Sequence, residues 1–327
     1  MDINKQMWQE MVKKGFTTAQ KLLQSGMNVN CLRTNATLRN DEWKIMDEAI
    51  IESAQIRLVG VADLRTRGLV YPIANGLGKT ILQGENVSDM NDAEVSMDGV
   101  TAGKNDAVNF ELVGLPLPLI HKEYQISIRK LAASRNMGEP LDTTQARLAA
   151  RKVADMQENI LFNGYSSYAF GGYTIYGYTD YPNKNNVTMG TSWASDTDAN
   201  ILTDVLAAKQ ASITDRFFGP WQWYLPTAFE TNFDNDFSTA KGDLTIRERI
   251  LKIIGMSGIS IADKLSGTKA IQVQMTEDVV RMVEGLPITN VEWQSAGNMI
   301  FHFKVMTIAV PQIRDDQSGR CGVTVVA

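Results

Sequence analysis

The most regular stretch of the chain is LDTTQARLAARKVADMQENILFNG, residues 141–164, and it predicts a long helix. Small and apolar residues recur along it at the spacing of one helix face: Ala146, Ala149, Ala150, Val153, Met156, Ile160 and Leu161. Asp142 and Gln145 have the spacing of a capping box, and Gly164 follows the last turn. At 1.5 Å per residue, some twenty residues give a rod of about 30 Å. The sequence therefore predicts one rigid helix over residues 143–163.

The segments around this helix alternate between strand and helix patterns without the regular repeat of a βαβ fold. Tyr124, Ile126 and Ile128 alternate with polar residues, as in a strand. Downstream, the pattern predicts helices near 200–213 and 244–254, and strands near 223–225, 270–274, 299–310 and 323–326. This mixture predicts an α+β fold.

The first 40 residues differ from the rest of the chain because they are basic. Six lysines and arginines against two acidic residues give this segment a charge of +4, whereas the whole chain carries −5. Apolar residues recur at helical spacing between Trp8 and Leu23. Two interpretations stay open: a solvated tail, or an arm whose apolar stripe is buried on another subunit.

A helix and then a long acidic segment follow. Asn40 and Asp41 can cap a helix that we expect to end near Gly60. Residues 63–121 carry a net charge of −4, and their middle part, GENVSDMNDAEVSMDGVTAGKND (84–106), has too little apolar periodicity to fold on a core of its own. Strand-like pieces at 69–73 and 109–113 flank it. So long an insertion in a compact chain indicates a functional loop.

The inventory of reactive side chains argues against an enzyme. The 327 residues include only two histidines, His121 and His302, and two cysteines, Cys31 and Cys321. Zinc sites and Ser–His–Asp or Cys–His centres mostly need more of these groups, and we expect neither a metal nor a cofactor. The negative net charge disfavours a dedicated nucleic-acid binder, and no apolar run reaches the ~18 residues of a membrane span. Whether the cysteines pair is left open.

The order of these segments resembles the Hong Kong 97-type fold of tailed-bacteriophage major capsid proteins, which the encapsulin shell proteins share. The stretches that carry the resemblance are NDEWKIMDEAIIESAQIRLVG (40–60), LVGLPLPLIHKEYQISIRKL (112–131), the long helix with its Ile-Leu-Phe-Asn-Gly turn (160–164), KAIQVQMTEDVVRMVEG (269–285) and NMIFHFKVMTIAVPQ (298–312). The resemblance implies a division into an N-terminal arm (1–40), a first helix of the peripheral domain (41–62), an extended β-hairpin loop (63–121), a peripheral domain (122–194) with its spine helix (143–163), an axial domain (195–298) and C-terminal strands returning to the peripheral domain (299–327).

The resemblance also implies a function. Such a chain assembles as hexamers and pentamers into the icosahedral head that encloses phage double-stranded DNA, so it belongs to the virion capsid and is assembled in the bacterial cytoplasm. The alternative is the shell protein of an encapsulin-type bacterial nanocompartment. About 40 residues precede Trp43, and this favours the phage capsid, because encapsulins generally begin close to the first helix.

Expected partners are copies of the chain itself, the portal protein, and separate scaffolding and decoration proteins. Scaffolding is expected to be either separate or unnecessary, because the chain opens with Met1 and has no long helical leader. Packaged DNA is expected only in non-specific proximity, and no membrane is expected. The basic arm and the acidic loop are suited to pairing between subunits. The interface candidates are Lys13, Lys14, Arg33, Arg39, Glu85, Asp89, Asp92 and Glu94.

Overall fold

The computed structural model describes residues 48–50, 59–87, 97, 110–130, 132, 143–237, 244–265, 267–294, 299–316 and 318–327. The named helices are α1 (Val59–Thr66), α2 (Thr144–Asn163), α3 (Asp198–Thr214), α4 (Glu230–Phe233) and α5 (Ile246–Leu251). The strands are β1 (Val70–Pro72), β2 (Ile81–Val87), β3 (Phe110–Pro116), β4 (Ile120–Ser127), β5 (Tyr165–Phe170), β6 (Tyr173–Ile175), β7 (Asn185–Val187), β8 (Trp221–Leu225), β9 (Met256–Ile261), β10 (Ala270–Gln274), β11 (Val280–Gln294), β12 (Ile300–Ile313) and β13 (Val323–Val326). The predicted α+β class is confirmed.

Two sheets organise the described residues. One has four strands in the order β1-β11-β12-β4, and the other has five in the order β7-β13-β10-β8-β9. In each sheet the central pairs are antiparallel, and parallel pairs occur only toward an edge: β1 with β11, β7 with β13, and β8 with β9. Two separate ribbons, β2-β3 and β5-β6, complete the strand pairing.

The predicted long helix is confirmed as α2, which packs on the four-stranded sheet. Its alanine-rich face, including Ala149 and Ala150, is buried against that sheet. The Gln157 side chain donates to the Thr307 hydroxyl of β12 at 3.2 Å, and this bond fixes the position of the helix along the strand. Small side chains let the helix approach the sheet closely. This explains why residues 146, 149 and 150 are alanines, since a longer side chain would increase the separation.

The capping box predicted at the start of α2 is wrong. The residue that precedes the helix is Thr143, and its side chain makes no capping hydrogen bond. With Thr143 in that position, the third residue of the helix is Ala146, which has no side-chain acceptor to complete the box. Asp142 lies outside the described residues.

The helix predicted from Asn40 lies outside the described residues apart from 48–50, and Gly60, which we expected to follow its last turn, lies inside α1. A Cβ atom on Gly60 would lie 2.7 Å from Leu161 Cδ2 and 2.9 Å from Phe162 Cζ, both on α2. This glycine therefore permits close packing of two helices rather than a change in chain direction.

Two strand assignments differ from the expectation. β11 was not predicted as a strand, because Gly285 and Pro287 interrupt its pattern and its pairing with β12 shifts register between Glu284 and Thr289. It lies in the four-stranded sheet, although its residues were assigned to the axial domain. β13 was expected to lie with β12, but it pairs with β10 and β7 in the five-stranded sheet. Its four residues, three valines and one threonine, are all buried. This pattern does not specify which strand is the partner.

The five-stranded sheet has its own core against α3 and α5. Trp193 is fully buried there and lies 5.6–5.8 Å, between ring centroids, from Trp223, Phe229 and Phe233. Ile201 and Val205 of α3 and Ile246 and Ile250 of α5 belong to the same cluster.

Candidate assembly surface

The antiparallel ribbon β2-β3 is separate from the two main sheets. Its strands pair in antiparallel register from Ile81–Pro116 at the base to Val87–Phe110 at the far end. Within the described part of the chain, neither strand pairs with any other strand. A two-stranded ribbon without further support is marginally stable in water, so its exposed part needs a binding partner.

The two ends of this ribbon differ in burial. At the base, Leu82 and Leu115 pack into the core under the four-stranded sheet. Farther out, Phe110, Leu112 and Val113 are 66%, 52% and 41% exposed. Because successive strand residues point to opposite faces, Phe110 and Leu112 share one face while Val113 lies on the other. Apolar side chains exposed on both faces are typical of a surface that another chain covers.

The base of the ribbon is held firmly by glycine contacts to the neighbouring ribbon β5-β6. Gly114 of β3 lies directly against the Tyr173 ring, so that a Cβ atom at this position would overlap the ring. Gly171, in the turn between β5 and β6, lies in the same way against Ile81 Cδ1 of β2. The direction in which the ribbon leaves the body is therefore fixed by packing.

The structure places one of the eight predicted interface residues. Glu85 lies on β2 directly across from Leu112, with its side chain exposed. The other seven lie outside the described residues: Lys13, Lys14, Arg33, Arg39, Asp89, Asp92 and Glu94. Pairing of the basic arm with the acidic loop stays a prediction.

Sequence reasoning did not identify the apolar residues of this surface. The segment 109–113 was predicted as a strand, but only charged residues were proposed as contacts. The available signal was the run Phe110-Glu111-Leu112-Val113 next to a polar segment that cannot bury it. An apolar strand that adjoins no predicted core indicates burial by a partner.

The two histidines lie on a polar face of the four-stranded sheet and form no catalytic arrangement with the described residues. The His302 ring stacks on Trp293 with 5.4 Å between centroids. Beside it, Lys304 Nζ lies 2.8 Å from Glu123 Oε1, and this hydrogen bond lowers the pKa of the exposed Glu123. Across the described residues, no group of three or more His, Cys, Asp and Glu side chains could hold a metal ion.

The sulfur of Cys321 is chemically shielded. The residue is fully buried, and burial raises the pKa of its thiol to about 12. Because the thiolate is the reactive form, this thiol is inert near neutral pH. Cys31 lies outside the described residues. None of the helices in the described part is both long and apolar enough to cross a bilayer.

The architecture is the Hong Kong 97-type capsid fold. It matches the virus-like particle of Pyrococcus furiosus with a TM-score of 0.63 and 17% identity over 86% of this chain and 98% of that one. It matches the capsid of Myoviridae phage XM1 with a TM-score of 0.58 and 12% identity over 76% of this chain and 85% of that one. The predicted fold is confirmed.

The chain belongs to the family of unknown function DUF6260, whose model matches residues 32–326. A curated relative is the type 1 encapsulin shell protein EncA of Myxococcus xanthus (strain DK1622), 26% identical over 144 residues. These residues are 41% of this chain and 45% of the relative, so the match spans less than half of either protein. The proteins that this chain resembles are structural components of shells.

Proposed function

We propose that this chain is a major capsid protein that assembles as hexamers and pentamers into the icosahedral head enclosing phage double-stranded DNA. The observation that carries the proposal is the ribbon β2-β3, which leaves the body in a fixed direction and exposes Phe110, Leu112 and Val113. A chain that binds copies of itself covers such a surface in every subunit at once. A wall protein of this kind needs no catalytic centre.

The charge distribution is suited to this function. A net charge of −5 keeps packaged DNA from adhering tightly to the wall, because few cations are available to replace its counterions. The +4 arm and the −4 loop would attract each other between subunits, steering assembly more than strengthening it. The finer parts of the proposal are a portal protein, separate scaffolding and decoration proteins, and assembly in the bacterial cytoplasm before the chain becomes part of the virion.

The second candidate is the shell protein of an encapsulin-type nanocompartment. One observation favours it: the partial sequence match to the encapsulin shell protein EncA. Both functions use the same assembly surface and differ in particle size and contents.

Electron microscopy of the purified full-length chain tests both functions. Uniform large icosahedra, filled with DNA when isolated from a phage-producing host, support the capsid. Small shells around a protein cargo support the nanocompartment instead. A chain that stays monomeric under all assembly conditions contradicts both.

A substitution in β3 tests whether the ribbon drives assembly. Leu112→Asp introduces a charge where we expect a neighbouring subunit, so the assembled fraction in sedimentation should fall at least tenfold. Leu112→Val keeps an apolar strand residue and should assemble as wild type. Equal assembly of the two variants, with equal thermal unfolding of the subunits, would show that this ribbon is not the contact.

A further inference from the structure

Helix α1, only eight residues long, is bonded to both the long helix and the four-stranded sheet. Near its start, the Gly60 and Val61 backbone N–H groups donate to the Glu158 carboxylate of α2, at 2.8 and 3.4 Å. Near its end, Arg65 Nε donates to Glu284 Oε1 of β11 at 2.8 Å. Helix α1 thus connects α2 with the four-stranded sheet, which also pack directly on each other.

The same helix is also bonded to the five-stranded sheet. The Asp63 carboxylate accepts hydrogen bonds from the Tyr224 hydroxyl of β8, at 3.1 Å, and from the Ser260 hydroxyl of β9, at 3.3 Å. Arg67 donates to the Gln222 side chain of β8 at 2.9 Å. Four residues beyond the end of α1 the chain enters β1, which leads to the ribbon β2-β3. Any displacement of α1 therefore acts on both sheets and on the origin of the ribbon.

We propose that Glu158 and the first turn of α1 form a proton-controlled latch, which is closed when the Glu158 carboxyl group carries a proton and is weakened when it is ionised. The term latch denotes Glu158 with the Gly60 and Val61 N–H groups. This proposal concerns the folded subunit and goes beyond the shell function, because the latch would operate in either kind of shell.

Among the residues that the structure describes, the groups around Glu158 do not supply a compensating positive charge. From α1 it faces the Gly60 and Val61 backbone N–H groups, the Val59 backbone N–H and the Asp63 carboxylate. From the segment after β6 it faces the Tyr178 phenol, which is fully buried and has no hydrogen-bond partner among the described residues. From β8 it faces Tyr224, and the Phe162 ring of its own helix packs against both tyrosines. Glu158 itself is 2% exposed.

This environment favours the neutral acid. Burial raises the pKa of Glu158 from an ordinary 4.5 to about 7, the backbone N–H groups of residues 59–61 oppose this, and the Asp63 charge adds to it. The pKa of Asp63 is itself raised, chiefly by burial. In an open form, with α1 displaced and Glu158 in water, the carboxyl group would regain its ordinary pKa. Proton binding therefore favours the closed latch, and its advantage declines as pH rises from 4.5 to 7.

Hydrogen exchange of the full-length chain measures the latch directly. The readout is the protection of the peptide covering residues 59–66, corrected for the intrinsic pH dependence of amide exchange. From the two pKa values, the opening equilibrium of wild type should increase roughly 25-fold between pH 5.5 and pH 8. Glu158→Gln is neutral at every pH, so its opening should change less than about threefold over the same range.

Asp155→Asn is the matched control, one turn earlier on α2. Its carboxylate is partly exposed and lies 3.4 Å from Lys264 Nζ, so this variant should keep the wild-type dependence. The proposal would be overturned if the exchange protection of residues 59–66 in wild type did not change with pH. It would also be overturned if Glu158→Gln showed the same change with pH as wild type. If Glu158→Gln does not fold, the wild-type protein still tests the proposal. The exchange protection of peptide 59–66 must then change with pH, while that of a peptide from β12 must not. Assembly failure in any variant tests the shell function and leaves this readout on free subunits intact.

Discussion

Arg65 and Glu284 form a two-pronged ion pair that joins α1 to β11, with Arg65 Nε and Nη2 both donating to Glu284 Oε1. The two residues are 219 positions apart in the sequence, and both side chains are about three-quarters buried. Charge-assisted bonds of this kind fix orientation as well as distance.

The first prediction concerns this ion pair. Arg65→Met and Glu284→Gln should each lower the free energy of unfolding by about 2 kcal/mol, because each leaves a partly buried partner without its counterpart. In urea titrations the double variant should be destabilised by less than the sum of the two single variants, and the difference should be about 1 kcal/mol or more.

Arg320 and Asp316 form an exposed pair at 4.0 Å and serve as the control. Their coupling should stay below about 0.5 kcal/mol. Equal coupling in both pairs would contradict the structural role of Arg65.

The second prediction concerns Gly60. A glycine-to-alanine change inside a helix usually stabilises it by about 1 kcal/mol. Gly60→Ala should instead destabilise the protein by about 2 kcal/mol or more, because its Cβ would overlap Leu161 and Phe162. Gly84→Ala in β2 is the control, since no atom lies within 4 Å of its added Cβ. Chemical denaturation of both variants provides the comparison, and a stabilising Gly60→Ala would disprove the close contact of α1 with α2.

The third prediction concerns the pH dependence of stability. Since the pKa of Glu158 is about 7 in the folded protein and 4.5 ordinarily, its contribution to stability is complete below pH 4.5 and is lost as the pH rises to 7. The loss should reach about 3 kcal/mol. Glu158→Gln should therefore unfold at a higher urea concentration than wild type at pH 8. This difference between the variant and wild type should be smaller at pH 5. A wild-type advantage that increases with pH would show that the ionised carboxylate is the stabilising form.

The fourth prediction concerns a buried polar group at the centre of the five-stranded sheet. The Ser212 hydroxyl of α3 receives a hydrogen bond from Gln272 Nε2 at 3.0 Å and lies 3.1 Å from the Thr324 hydroxyl. Ser212→Ala removes the acceptor of a buried amide and should cost about 2–3 kcal/mol. Thr324→Val keeps shape and leaves the Gln272 bond in place, so it should cost about 1 kcal/mol. Thermal unfolding should rank the variants in that order, and the reverse ranking would place the important bond at Thr324.

The fifth prediction concerns Cys321. In a Cys31→Ser variant, a thiol reagent at pH 8 should modify the folded protein about a thousandfold more slowly than the unfolded protein, because the pKa of about 12 leaves little thiolate. Immediate modification of the folded protein would show that this sulfur is accessible, and would make pairing with Cys31 feasible.

Local patterns predicted the fold where a single periodicity dominates. Residues 143–163 and 270–274 were predicted within one residue of α2 and β10, because each is a continuous apolar pattern between clear ends. β11 was missed, since Gly285 and Pro287 break its alternation and only pairing with β12 identifies it as a strand. Gly60 was misinterpreted because a glycine at a helix end and a glycine under a neighbouring helix look the same in sequence.

The assembly surface was predicted only in part. The charge and length of residues 63–121 indicated an interface, whereas Phe110 and Leu112 become recognisable as contact candidates only when the outer part of β3, residues 110–113, is seen to belong to none of the cores. The position of Glu158 could not be predicted at all. Its burial depends on Gly60, 98 residues earlier, approaching it closely.

Helix α2 contributes to two separate cores. Ala149 and Val153 belong to the core of the four-stranded sheet, whereas Leu161 and Phe162, nearer its end, belong to the core shared with the five-stranded sheet. A straight helix of 20 residues is about 30 Å long and resists bending. It therefore works mechanically as a lever arm: a tilt of about 5° at one end displaces the other by about 2.6 Å. Small differences in side-chain packing around Phe162 can thus be amplified into different curvatures of a wall built from identical subunits.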